Sequence, residues 1–252
     1  MDSSTGSRAR SSSPLITFVV AYVKSMRLYY AFVTGIAGWI GVAYTRFLHP
    51  DAASMPVSVL TLGILFLSWG INQIINDYLG LAEDRINAPH RPMVTGELRP
   101  KVAVGVSVAL LFGAMVVTWY LSPLALIPLL AGIGLNVVYE YAKGVPLLGN
   151  VVFGLMISMC TAYGFLATND GYPVIFTAGR VSVLILVVLM NGLMTYYTYF
   201  KDHDGDKATG KITAVVLQGI QRSRTTAIIS SFLPSLVFLV MIWAGVFESP
   251  IT

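Results

Sequence analysis

Long apolar runs, separated by short polar stretches, dominate the chain. Runs near the roughly 20 residues a helix needs to cross a bilayer fall at 28–46, 56–79, 102–121, 123–140, 148–168, 180–200 and 226–247. None shows the short alternating segments of a membrane β-barrel. The pattern predicts an all-α fold, a polytopic transmembrane helix bundle of about seven spans. The run at 123–140 is short and carries Pro123 and Pro128 near its start, where a helix tolerates proline. Residues 15–28 read either as an interfacial helix or as an extension of the first span. The polar, Ser-rich start predicts a disordered cytoplasmic tail over residues 1–14, leaving 15–252 as one transmembrane domain. Lys24 and Arg27 interrupt the apolar stretch that follows, and no small-residue cleavage site is evident, so a signal peptide is not expected.

Composition sharpens this reading. With 56% hydrophobic and 11% charged residues and a mean hydropathy of +0.73, 252 residues are too apolar for a soluble domain. The one cysteine, Cys160, lies inside a span; it cannot close an intrachain disulfide and is expected to pack. Charge placement sets an orientation. With the N-terminus cytoplasmic, Arg8, Arg10, Lys24, Arg27, Arg85, Arg91, Arg99, Lys101, Lys143, Lys201, Lys207, Lys211, Arg222 and Arg224 fall inside, and only Arg46 and Arg180 outside. That bias exceeds what the positive-inside rule needs. It accounts for the net charge of +4, which is therefore no sign of nucleic-acid binding.

Two acidic clusters then stand out, both on the cytoplasmic face: N76-D-Y-L-G-L-A-E-D84, followed by R-I-N-A-P-H-R-P, and K201-D-H-D-G-D206, followed by K-A-T-G-K. Carboxylates cost about 2.5–3.5 kcal/mol each at mid-membrane and less near the interface, so two clusters need a reason. Asn76, Asp77 and Asp84 share a stripe if the helix runs on through Glu83. Asp202 and Asp206 lie one helical turn apart. Oxygen donors of this kind suit Mg²⁺, which bridges one or two carboxylates to substrate phosphates; no spacing suits zinc. Arg91, in a stiff loop with Asn87, Pro89 and Pro92, can grip a phosphate with two prongs. Each cluster alone could be helix caps and solvated loop charge. A calcium loop at 202–213 fails, because its twelfth position is Thr213. A site shared between the two clusters is the better account.

These segments resemble the UbiA superfamily of intramembrane prenyltransferases. N76-D-Y-L-G-L-A-E-D84 with R91-P-M-V-T-G96 is similar to the family's N-D-x-x-D-x-x-x-D and R-P-x-x-x-G. D202-H-D-G-D206 with K-A-T-G is similar to its second acidic motif. Tyr139 and Lys143 resemble its Y-x-x-x-K element, and M26-R-L-Y-Y its first helix. The resemblance implies a helix bundle around a cavity whose cytoplasmic mouth holds an isoprenyl diphosphate. It implies Asn76, Asp77, Asp84, Asp202 and Asp206 as ligands of Mg²⁺, and Arg91, Lys143, Lys201 and Lys207 on the diphosphate. Asp202, Asp206, Asp84 and Tyr139 would serve catalysis, Tyr139 beside the diphosphate or the reacting carbon. Tyr29, Tyr30, Tyr196, Tyr197, Tyr199 and Phe200 are expected near the active face, as an interfacial belt or as faces for an allylic cation.

Two departures accompany the resemblance. Gly80 replaces the family's middle aspartate, and the family commonly has nine spans where this sequence shows about seven, so that a second copy or another subunit could close the cavity wall. The implied function is transfer of a prenyl group to an aromatic, quinone-precursor or lipid acceptor. A terpene cyclase that needs no acceptor, and a non-catalytic transporter or scaffold, stand as alternatives. His203 could bind metal or face water, while His90 reads as a loop residue and His49 as one on the outside. Gly35, Gly38, Gly41 and Gly192 read as close-packing positions by default, or as room for a polyprenyl tail.

Overall fold

The computed structural model describes residues 14–169 and 176–248. The expected disordered tail, apart from Pro14, lies outside the described residues. Pro14 itself opens the first helix, α1 (Pro14–Met26), which is followed by α2 (Phe32–Leu48), α3 (Met55–Leu79), α4 (Leu81–Asn87) and α5 (Pro92–Thr95). Next come α6 (Pro100–Leu121), α7 (Leu126–Ala142), α8 (Leu148–Ala167), α9 (Ala178–Ala208), α10 (Ala214–Gln218), α11 (Ile220–Ser230) and α12 (Leu233–Trp243). Among the described residues, six helical stretches are long and apolar enough to span a bilayer, and a seventh arises if α1 and α2, bent by 54° at their junction, form one span. The first span is therefore a broken pair rather than the single helix expected over 28–46. Arg27 lies in the short linker between α1 and α2, in a left-handed conformation with φ 47°, which costs a non-glycine residue energy.

Proline starts several helices, in a first turn whose missing N–H has no partner in any case: Pro56 in α3, Pro92 in α5, Pro100 in α6 and Pro234 in α12. Gly96, with φ 85°, reverses the chain between α5 and α6. The 31 residues of α9 extend roughly 46 Å at 1.5 Å per residue, against a hydrocarbon core of about 30 Å. The helix is thus longer than that core is thick, and its last turns carry the second acidic cluster.

Apolar side chains gain little by leaving lipid for protein, so the bundle depends on close backbone approach and interhelical hydrogen bonds. The central helix is α8, packed on α2, α7 and α9. Gly41 backs onto the Thr161 carbonyl and Gly164 onto that of Gly38, and a Cβ at either would collide. Gly35 and Gly38 instead make room for Phe66 and Leu65, and Gly192 lies against Asn150. Thr161 Oγ1 donates to the Ala37 carbonyl at 2.7 Å and Thr34 Oγ1 to that of Leu65 at 2.7 Å. The Thr118 and Tyr163 hydroxyls tie α6 to α8 at 2.8 Å. A second cluster joins α1, α3, α5 and α6 through Tyr22, Met26, Ile71, Ile74, Met93 and Leu111. Between these two packed groups lies a cavity of about 310 Å³, with residues of α2, α3, α7, α8 and α9 in its wall.

Candidate functional site

Three helices, α3, α7 and α9, end at one mouth of this cavity. Their C-termini present unsatisfied carbonyls and a partial negative charge, so the carboxylates placed there work against the helix dipoles and need cations. The fold supplies them. Asp77, 2% exposed, is paired with Arg27 from the α1/α2 joint and with Arg91 at 3.3 Å. Arg91 also pairs with Asp84. Lys143, just past α7, holds the fully buried Asp206 at 2.9 Å. Lys211, in the loop after α9, bridges Glu140 of α7 at 2.5 Å and Glu83 of α4 at 2.9 Å.

The first acidic cluster does not lie on one continuous helix. The helix stops at Leu79, Gly80 makes a turn with φ −94° and ψ 22°, and α4 begins at Leu81. Asp77 and Asp84 nonetheless converge, through their shared partner Arg91. The second cluster is helical to Ala208, so Asp202 and Asp206 do lie a turn apart. They have different surroundings. Asp202 lines the cavity, whereas Asp206 is sealed behind it on Lys143. The two clusters meet where Asn87 Oδ1 accepts the Gly205 backbone N–H at 3.2 Å; a Cβ at Gly205 would strike the Asn87 amide.

Of the residues singled out in the sequence, Asn76, Asp77, Asp84, Arg91, Tyr139, Lys143, Lys201 and Asp202 all line the cavity. Lys207 does not. It is exposed on the far side of α9 from the lining position Asp202. His203 turns to the exposed Asp204 at 2.8 Å. Among the six aromatics expected near the mouth only Tyr30 lines the cavity. Tyr196 and Tyr199 are buried in helix packing. Cys160 lines the cavity as well as packing. Sequence reasoning missed Arg27, Glu140 and Lys211. The signals were present as a cation interrupting an apolar run, an acid beside Tyr139 and a lysine ending the second motif.

Electrostatics outside the spans follow these pairings. Burial pushes the Asp84 carboxyl up despite Arg91. Burial also lowers the Arg91 value, but Asp77 and Asp84 outweigh it and the guanidinium stays charged. Burial would raise Glu83, yet the hydrogen bond from Lys211 leaves it below its usual 4.5.

Among the described residues no three acidic, histidine or cysteine side chains converge closely enough to hold a metal by themselves. Oxygen donors are nevertheless free at the mouth: Asn76 Oδ1, Asp77 Oδ2 and Asp84 Oδ2 are buried without a hydrogen-bond partner. A hard cation that keeps several waters and takes its remaining ligands from a phosphate fits this donor set.

Comparison with known proteins agrees with the fold and its motifs. The profile of the UbiA prenyltransferase family matches residues 31–252. Digeranylgeranylglyceryl phosphate synthase of Thermococcus kodakarensis is 27% identical over 224 residues, covering 85% of this chain and 77% of the relative. The enzyme of the same name from Pyrococcus horikoshii is 30% identical over 226 residues, with coverage of 85% and 77%. A UbiA homolog from Archaeoglobus fulgidus bound to DMAPP and Mg²⁺ superposes with a TM-score of 0.71 at 18% identity, over 90% of this chain and 77% of that one. The same homolog bound to GPP and Mg²⁺ gives 0.72 at 17% identity, over 89% and 78%. Its likeness is one of fold. The family match, spanning both acidic motifs and every cavity helix, makes this chain a member of the UbiA prenyltransferase family.

Proposed function

We propose that the protein is a Mg²⁺-dependent membrane prenyltransferase that moves an isoprenyl group from its diphosphate to a hydroxyl-bearing glycerophosphate lipid. One observation carries this reading. The cavity joins an apolar interior to a mouth where Arg27, Arg91, Lys143 and Lys211 are each already paired with carboxylates, while carboxylate and amide oxygens remain free. A prenyl diphosphate needs an apolar slot for its chain and additional positive charge for its head. Such a mouth gains that charge by binding cations on Asn76, Asp77, Asp84 and Asp202. Mg²⁺ bound there would neutralise the departing diphosphate.

The chain's own residues do the rest. Lys201, cavity-lining and exposed, and Arg91, whose fork can serve a phosphate as well as a carboxylate, orient the diphosphate. Tyr139, held against Phe153 with ring centroids 5.3 Å apart, and Trp69 border the reacting carbon. Each aromatic face lowers the energy of an allylic cation by about 0.5–2 kcal/mol. The C1–O bond breaks with its electron pair leaving on the diphosphate. An acceptor oxygen then forms the new bond to C1 and gives its proton to a diphosphate oxygen. The relatives' name describes a glyceryl phosphate bearing two geranylgeranyl groups. The corresponding acceptor carries one such group and a free hydroxyl. The cytoplasmic orientation of the mouth rests on the charge bias of the sequence.

The test is turnover by the purified chain with Mg²⁺, geranylgeranyl diphosphate and geranylgeranylglyceryl phosphate, with products read by mass spectrometry. The expected product is the doubly prenylated lipid, lost on chelation. A cyclic hydrocarbon formed without acceptor would establish a cyclase instead. Product from a phenolic acceptor alone would move the assignment to aromatic prenylation.

A further inference from the structure

Beneath the charged mouth, three helices continue polar ladders into the cavity. On α3 Asn76 is followed inward by Asn72 and Trp69; on α7 Tyr139 is followed by Asn136; on α9 Asp202 is followed by Thr198 and Thr195. At 1.5 Å rise per residue the inner rungs lie roughly 5–10 Å deeper than the acidic tier. There several polar atoms lack partners. Both Asn136 Nδ2 and Oδ1 are unsatisfied in a side chain only 1% exposed, as is Thr195 Oγ1, also 1% exposed. Asn72 Oδ1 and Trp69 Nε1 are buried and unpaired beside them.

Ordinary helix packing does not explain these orphans. Elsewhere in the bundle Asn191 bonds the Val187 carbonyl at 2.9 Å and Thr118 that of Ala114 at 2.7 Å, each on its own helix; the Ser25, Thr45, Thr61 and Ser223 hydroxyls are also unpaired, but none of them lines the cavity. A buried amide left with neither bond made is costly, and here it faces a cavity rather than a neighbouring helix. The inner tier offers a donor and an acceptor on one amide, an indole donor and a hydroxyl, and no charged side chain stands on these inner rungs. A carboxylate buried there would be unpaired. A neutral hydroxyl, with one donor and two acceptor positions, can pair with both atoms of the Asn136 amide and still accept from a neighbouring donor.

We propose that Asn136, with Thr195, Asn72 and Trp69, forms the acceptor subsite, holding the neutral hydroxyl end of the acceptor below the diphosphate tier and rejecting acceptors that carry a carboxylate at that end. This rests on the prenyl-transfer reading and specifies which part of the cavity selects the acceptor.

Binding and turnover separate the two claims. Binding of geranylgeranylglyceryl phosphate and of its deoxy analogue, followed through tryptophan fluorescence, is compared in the wild type, Asn136→Leu and Asn136→Ser. The wild type is expected to prefer the hydroxyl compound by about tenfold or more, consistent with a hydrogen-bonding site deprived of its partner. Asn136→Leu loses the preference and Asn136→Ser regains part of it. In turnover the acceptor KM rises by about tenfold in Asn136→Leu while the donor KM is unchanged, and the melting temperature does not fall. Equal binding of both compounds by the wild type, donor and acceptor KM rising together, or a lower melting temperature without selective loss of the acceptor would overturn the subsite. Hydroxyl-selective binding without any prenylated product would keep the subsite and refute the transfer reading.

Discussion

The carboxylate of Glu140, on α7, lies against the bare face of Gly80: a Cβ placed on Gly80 would meet Glu140 Oε1 at 3.4 Å. An acid from another helix thus borders the place where the family's first motif ordinarily carries its middle aspartate. The backbone at Gly80, with φ −94°, accepts a side chain without strain. Gly80→Asp should therefore fold, but its carboxylate would crowd that of Glu140, which Lys211 already holds. Two carboxylates sharing a site repel. We expect Gly80→Asp alone to lower activity, and Gly80→Asp combined with Glu140→Ser to recover it. Full activity in the single variant would show that the two side chains do not share this space.

The two aspartates of the second motif should separate in their effects. Asp202 lines the cavity, while Asp206 is fully buried on Lys143. Asp202→Asn is expected to lose turnover at unchanged melting temperature. Removing one partner of a buried pair costs about 3–5 kcal/mol, so Asp206→Asn should be destabilised as well as inactive. Thermal unfolding in detergent, run beside the activity assay, decides this. Identical unfolding curves for the two variants would contradict the placement.

Asn87 and Gly205 join the two motifs through one hydrogen bond and one close contact. The bond itself is worth about 0.5–1.5 kcal/mol, so Asn87→Ala should barely alter stability. Gly205→Ala must displace the Asn87 side chain and so break the bond between the motifs. Its activity should fall at least as far as that of Asn87→Ala, with membrane insertion intact in both. An active Gly205→Ala enzyme would mean that the spacing of the motifs is not critical.

The Lys211 bridge should be insensitive to pH over a wide window. Burial opposes both charges, but pairing prevails: Glu83 lies below 4.5 and Lys211 above 10.5. The Glu83 contribution is therefore present above 4.5 and is lost as pH falls through its lowered value. That of Lys211 is present below 10.5 and is lost as pH rises through its raised value. The melting-temperature difference between wild type and Lys211→Met should stay level between 4.5 and 10.5 and shrink outside that range. A difference that fades near neutrality would break this assignment.

The sequence by itself determined the membrane bundle, the approximate spans and the two motifs. Apolar run length and motif spacing are local properties, and the bilayer reads them directly. The one-turn spacing of Asp202 and Asp206 was legible for the same reason, but the expected span ended at 200 and only the structure carries the helix on through both, to Ala208. Only the tertiary structure decided which charges neutralise which. Arg27 reaches Asp77 across 50 residues, Asn87 meets Gly205 across 118, and Lys211 bridges Glu140 across 71. No local period encodes contacts at such separations. The break at Gly80 escaped a stripe argument because that argument assumes a continuous helix. The burial of Asp206 and the unpaired amide of Asn136 arise only where several helices meet around one cavity, where exclusion of water and lipid gives each partner, or its absence, an energetic consequence.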